Sequence, residues 1–373
     1  MLPPNDTEKQ QIVQTIFSDT LARSAGSSKF AAYFQHYSAV VCPASSGDAV
    51  IEFDTSLLQI HQDILRWTQV LVNDPKISFN GFIDKITSGN PAEISLKEKE
   101  HIARITVNVL FAIDCMLADY YSSALALHRS SSCQTKWQGD TPFASFIQDT
   151  FTPPTTQPGH ETRGKLFNKK SLKAWKLVKR YGIKIRGTNN LLEHLELDTK
   201  TMTLKVFHQV SFLRAHLTKA KELPLDLSFE ESIKSGSLPP RLLLETLLTF
   251  HDILFPVSSI RDKKSRALLK TMIDKHNFDA EAEWIEFVRA TPDDMSFNYW
   301  GYRLAALHEI IKKPPPNNAM VAWFERHTSE RNALTVAILG LFLSALFGFL
   351  GVVVGVGQLV IAWIAYRRPP ENT

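Results

Sequence analysis

Cysteine is scarce in this chain. Cys42, Cys115 and Cys133 are an odd number without paired spacing, which fits a reducing compartment and argues against a disulfide framework. Several enzyme signatures are missing too. There is no Gly-x-Gly-x-x-Gly, Walker loop, Gly-x-Ser-x-Gly elbow or His-Glu-x-x-His. The cysteines and histidines have no zinc-ligand spacing. The opening residues, MLPPNDTEKQQ, have neither a basic n-region nor an apolar h-region, so no cleavable signal peptide is expected.

Charge is absent in a more telling way. Residues 332–366 run for 35 residues without one Asp, Glu, Lys, Arg or His, bounded by Arg331, Arg367 and Arg368. A helix crossing the hydrocarbon core needs about 20 apolar residues. The run is too short for two spans with a turn, so a single transmembrane helix is expected over 332–366, with a short tail at 367–373. Trp363 and Tyr366 suit an interfacial belt. Gly340, Ser344, Gly348, Gly351 and Gly355 fall within an arc of about 80° at about 100° per residue. Gly351-x-x-x-Gly355 is the close-packing motif of membrane helices, so this ridge is the candidate association face, for a second copy or another membrane helix.

The second absence is of acid. From Arg163 to Arg186 the chain has ten Lys/Arg and no Asp/Glu. The whole chain is only +4, so the remainder is acidic and the basic character is one block. Lys169, Lys170, Lys173, Trp175, Lys176, Lys179 and Arg180 are its candidate binding residues. Anionic lipid, nucleic acid and a calmodulin-type partner are the functional readings; a solvated lysine face packing through Leu172 and Trp175 is the structural one. A membrane tether raises the local concentration of headgroups, so lipid leads among the functional readings and nucleic acid ranks last.

The rest of the chain has mixed polarity and reads as mainly α. Helical spacing marks Ile12, Val13, Ile16, Phe17 and Leu21, then Phe30, Tyr33, Phe34 and Tyr37, then Leu57, Ile60, Ile64, Trp67 and Leu71. Ser95-Leu-Lys-Glu98 is a capping box opening a helix that can run to about Leu127. These make an N-terminal helical region, 1–128. A Ser/Thr/Pro-rich linker follows at 129–165, with a short ordered piece around Phe143 to Phe151. The second region, 166–313, is mostly helical. Its small α+β insertion holds a helix ending at Tyr181, strands near Ile183–Ile185 and Thr203–Phe207, and a helix over 189–197 between them. Helices are also expected at 210–221, 241–255, 265–276, 279–289 and 302–312. A juxtamembrane linker occupies 314–331.

No constellation assembles a nucleophile, base and oxyanion donor. His194 with Glu196, and His208 with His216, read as packing histidines. Asp114 and Asp119, five apart, point to different helix faces. No cofactor or metal is implied.

Three stretches carry a family likeness: Tyr181 to Asp198 (YGIKIRGTNNLLEHLELD), Leu204 to Leu217 (LKVFHQVSFLRAHL) and Trp323 to Arg331 (WFERHTSER). In this order they resemble a family of filamentous-fungal proteins of uncharacterised activity, with a helical soluble region and a C-terminal membrane segment. The resemblance covers roughly the last 210 residues and implies an architecture without assigning a role to any residue. The expectation is a single-pass, tail-anchored protein whose cytosolic helical bulk is an interaction or scaffold module. An enzyme with a site assembled between distant helices, and an accessory subunit of a membrane complex, are the alternatives.

Overall fold

The computed structural model describes residues 2–23, 28–42, 61–88, 95–116, 136–152, 169–257, 262–286, 288–292, 295–312 and 333–367. The chain divides into two compact units, 1–311 and 312–373. Both are helical, apart from a small sheet in the first.

In the first unit, α1 (Asp6–Ile16) begins with a full capping box, in which the Asn5 side chain accepts the Glu8 N–H and Glu8 returns to the Asn5 N–H. Its Ile12, Val13 and Ile16 are completely buried. The short α2 (Asp19–Ala22) follows, then α3 (Ala31–Val41), α4 (His61–Asn73) and α5 (Phe79–Ser88). Phe17 lies between Phe30, Tyr33 and Phe212, with ring centroids 5.2 to 5.8 Å apart. Aromatic pairs of this kind add about 0.5–1.5 kcal/mol to their burial.

The Ser95–Glu98 capping box opens α6 (Leu96–Phe111). This helix ends well before Leu127, because Ala112 turns left-handed at φ 53° and donates to the Asn108 carbonyl. The chain then hands over to a bridge between Met116 and Lys136. Trp137 and α7 (Phe143–Phe151) follow, the helix matching the ordered piece expected there.

The second region packs on the same core. Buried apolar residues form one cluster from Ile12 to Ile311, so 1–128 and 166–313 share an interior. Helix α8 (Ala174–Tyr181) stops at Gly182, whose φ of 66° suits glycine. Strands β1 (Lys184–Thr188), β2 (Glu196–Asp198) and β3 (Thr203–Phe207) form a sheet in the order β1-β3-β2, parallel between β1 and β3 and antiparallel between β3 and β2. Leu204 and Val206 face inward, while Lys184, Arg186 and Lys205 face outward. Residues 189–197 are not the expected helix. A 3₁₀ turn (Leu191–Glu193) is followed by Leu195 at φ 61°, and Glu196 then pairs with Lys205.

Helices α9 (Val210–Lys219), α10 (Phe229–Lys234) and α11 (Pro240–Leu248) follow, and α11 widens into a π-helical turn (Thr249–Leu254). Pro240 sits in the first turn of α11, where its missing N–H costs nothing. After α12 (Lys263–His276), only a 3₁₀ turn (Ala280–Glu283) occupies the expected 279–289 helix. Helix α13 (Gly301–Lys312) ends the unit. In the second unit α14 (Ala333–Arg367) is continuous over 35 residues.

Candidate functional site

The basic block becomes a surface only when α12 joins it. Helix α8 buries Ala174 and Leu177 and turns Lys179 and Arg180 outward. Lys264, exposed in the first turn of α12, lies 4.7 Å from the centre of the Trp175 ring. Lys176 and Arg180 lie 5.7 and 5.8 Å from the same ring. Among the described residues, Lys176, Lys179, Arg180 and Lys264 make no salt bridge. The Lys176 ammonium is pushed below its ordinary pKa by partial burial and then by Arg180 and Lys173. The amino end of α12 carries the positive end of its helix dipole and adds to the field.

Three residues of the block have other duties. Lys173 bridges to Asp262 at 2.5 Å, and Asp262 also accepts the Ser265 N–H as the N-cap of α12. Lys173 therefore joins α8 to α12. Lys169 lies over Phe297 at 5.5 Å, and the Lys170 carbonyl accepts from Lys176 at 2.7 Å. Lys264 lies outside the acid-free run, and no sequence spacing links it to Trp175.

Several polar residues of the interior tie its elements together. His194 is wholly buried; its Nδ1 accepts the Phe207 N–H, and its Nε2 bonds the Thr249 hydroxyl at 2.6 Å. Thr249 itself donates to the Thr246 carbonyl, so His194 is the neutral Nε2–H tautomer with both nitrogens used. His208 Nδ1 accepts the Asp279 N–H and stacks on Phe278. His216 packs edge-on against Phe17 and Phe212. Arg214, 2 % exposed, donates to the Glu281 and Trp284 carbonyls. Asp279 meanwhile accepts the Ser211 N–H. Together they clamp α9 to the 280–283 turn.

Glu245 is the residue that sequence reading overlooks. It sits on apolar α11, fully buried, and accepts the backbone N–H groups of Asn298, Tyr299 and Trp300 at 2.8, 2.8 and 3.2 Å. Burial raises its pKa to about 7 against the pull of these donors.

Asp114 is held by both nitrogens of the Arg104 fork, at 2.9 and 2.6 Å; Asp119 lies outside the described residues. Cys42 and Cys115 are buried thiols whose pKa values burial raises, the opposite of a reactive thiolate. Cys133 is also outside the described residues. Among the described residues no three His, Cys, Asp or Glu side chains converge to hold a metal ion.

In α14, residues Gly340–Ile364 form an exposed 25-residue stretch long and apolar enough to cross a membrane. Gly340, Gly348, Gly351 and Gly355 open onto unfilled space, and Ser344 is exposed. Arg367 caps the stretch with its guanidinium 4.1 Å from the Trp363 ring. Compared with protein-family models, curated proteins and solved structures, the chain matches none of them.

Proposed function

We propose that this protein is a tail-anchored interaction module. In this reading α14 holds it in the bilayer as a single span, and the helical body lies in the cytosol and meets anionic lipid through the α8–α12 face. The observation that carries the lipid contact is the cation cluster around Trp175. Lys176, Arg180 and Lys264 crowd one indole ring, and neither they nor Lys179 has a carboxylate partner among the described residues. Cations crowded in this way, with Asp262 already paired to Lys173, favour an external anion. Each contributes about 1 kcal/mol near an anionic leaflet, so four of them hold a tethered domain against it.

Sidedness is supported by basic residues on the near flank, Lys312, Lys313, Arg326 and Arg331, against Arg367 and Arg368 beyond. Within the bilayer, the ridge from Gly340 to Gly355 pairs with a second copy or another helix, because small residues let backbones approach.

The test has two arms. Deleting residues 332–373 should move the chain to the soluble fraction; pelleting with membranes in high salt would remove the anchor from the reading. The released protein should sediment with phosphatidylserine vesicles at low salt, and not with phosphatidylcholine alone. Charge reversal at Lys176, Lys179, Arg180 and Lys264 should abolish this sedimentation, and unchanged sedimentation would end the lipid reading.

A further inference from the structure

We infer that the protein carries a second, separate site, a polar cleft at the carboxyl end of β1 that binds a small carboxylate. The cleft measures about 380 Å³ and is lined by Arg186, Gly187, Thr188, Asn189, Glu193 and Lys205. That volume lies in the range of small-molecule sites, and a lining of charged and polar residues suits a compact, polar ligand. The cleft follows the carboxyl half of β1, which pairs in parallel with β3, and ligands of open parallel sheets bind toward that end of a strand.

The polar groups here are nearly all committed, and what remains defines the ligand. Arg186 and Lys205 are register partners on β1 and β3, so both side chains leave the same face of the sheet. Lys205 is balanced by Glu193 at 2.8 Å and shared with Glu196 at 3.4 Å. Glu193 Oε2 accepts the Thr188 hydroxyl at 2.5 Å. Arg186 is exposed and has no hydrogen bond or ion pair to the described residues.

Asn189 Oδ1 accepts from Gln209 Nε2 at 2.7 Å, and Gln209 is itself 1 % exposed. The Asn189 amide N–H groups are thereby left for the cleft. One guanidinium fork and one amide thus face a site whose single lysine, Lys205, is already neutralised. That set matches a single carboxylate, which Arg binds through two parallel bonds. A phosphate dianion would bring a second negative charge beside Glu193 and Glu196.

The cleft is built on fixed elements, as an organised site requires. A Cβ at Gly187 would come within 2.8 Å of both His208 and Phe278, so β1 lies directly against that stacked pair. The turn bearing Glu193 is tied by the Leu191 N–H to the Ala112 carbonyl, and by Arg303 to the Leu192 and His194 carbonyls at 2.7 and 2.5 Å.

Saturation-transfer NMR on the full chain in a neutral detergent would test the site with glycerate, acetate and inorganic phosphate as probes. Glycerate and acetate should both saturate, each more tightly than phosphate. Arg186→Gln should weaken their binding by about tenfold or more, the worth of a charge-assisted pair. Asn189→Ala should weaken it less, and Lys264→Glu, on the other basic surface, should leave it unchanged. Arg186 is exposed and makes no hydrogen bond or ion pair among the described residues, so its variant should retain the fold. Absence of saturable glycerate binding, tighter binding of phosphate, or an equal loss in Lys264→Glu would each overturn the assignment.

Discussion

Lys264 stands over the indole of Trp175 at 4.7 Å, although the two belong to helices far apart in the chain. The basic surface is therefore a property of the packed pair α8 and α12. Lys264→Gln alone should weaken sedimentation with phosphatidylserine vesicles by about fivefold, from roughly 1 kcal/mol of lost attraction. The effect should shrink at high salt. A loss confined to variants within residues 169–180 would mean that the linear block acts without its tertiary neighbour.

How far this arrangement is visible in the sequence depends on the range of the interaction. Local chemistry is legible. The Ser95–Glu98 box, the alternation that makes β3, and the uncharged stretch of α14 all express themselves within a few residues. What escapes is decided across the fold. Nothing near Ala112 marks the end of α6, since alanine is the best helix former; the left-handed turn is held by the chain's return to Trp137, whose N–H meets the Cys115 carbonyl. Residues 189–197 read as helical, yet pairing of Glu196 with Lys205 makes their end a strand. Glu245 sits in an apolar helix, and its partners are three N–H groups more than fifty residues downstream. In the candidate site, the lysines of α8 are legible, whereas Lys264, the salt bridge of Lys173 and the cleft beside Arg186 are tertiary facts.

The ridge on α14 can be tested inside the bilayer. Gly351→Leu with Gly355→Leu places two large side chains where each glycine now meets open space. Association of the anchor in a membrane two-hybrid assay should fall severalfold, because packing of small-residue faces depends on backbone approach. Val353→Leu, on the opposite side of the helix at about 100° per residue, should leave the signal intact. Equal signals from both variants would make the ridge incidental.

Glu245 should be a point of high stability cost. Replacement by alanine orphans three backbone donors ahead of α13 and opens space beside Trp300, whose indole N–H bonds Thr246 at 2.8 Å. Each unsatisfied buried donor costs about 1–3 kcal/mol, so Glu245→Ala should lose about 3–5 kcal/mol in urea unfolding. Glu245→Gln, retaining one acceptor oxygen, should lose less. A loss below about 1 kcal/mol would show that the three bonds are exchanged freely for water.

Acid should unfold the helical body, and the buried histidines say where. Burial lowers the pKa of His208 to about 4, assisted by the neighbouring His36. It lowers His216 to about 3 with help from Lys219, and His251 to about 3 with help from Arg214. A base whose folded pKa is depressed below about 6.5 leaves the unfolded chain binding more protons, so stability falls as pH drops through that value. At pH 5 each of the three costs about 2 kcal/mol by this linkage. Glu245 works in the opposite direction. Its folded pKa is raised to about 7, so acidification between about 7 and 4.5 returns about 2 kcal/mol. These four groups together give a loss of about 4 kcal/mol between pH 7.5 and pH 5, a large share of a typical stability of 5–15 kcal/mol, and His36, His61, His101 and His194, whose pKa values burial also lowers, act in the same direction. His216→Phe keeps a ring against Phe17 and Phe212 and removes the titration, so its loss over the same interval should be smaller by about 2 kcal/mol. Urea unfolding of the detergent-held chain at the two pH values, followed by near-ultraviolet circular dichroism, measures both quantities. Identical pH dependence in the two proteins would mean that His216 is protonated in the folded state as readily as in the unfolded one.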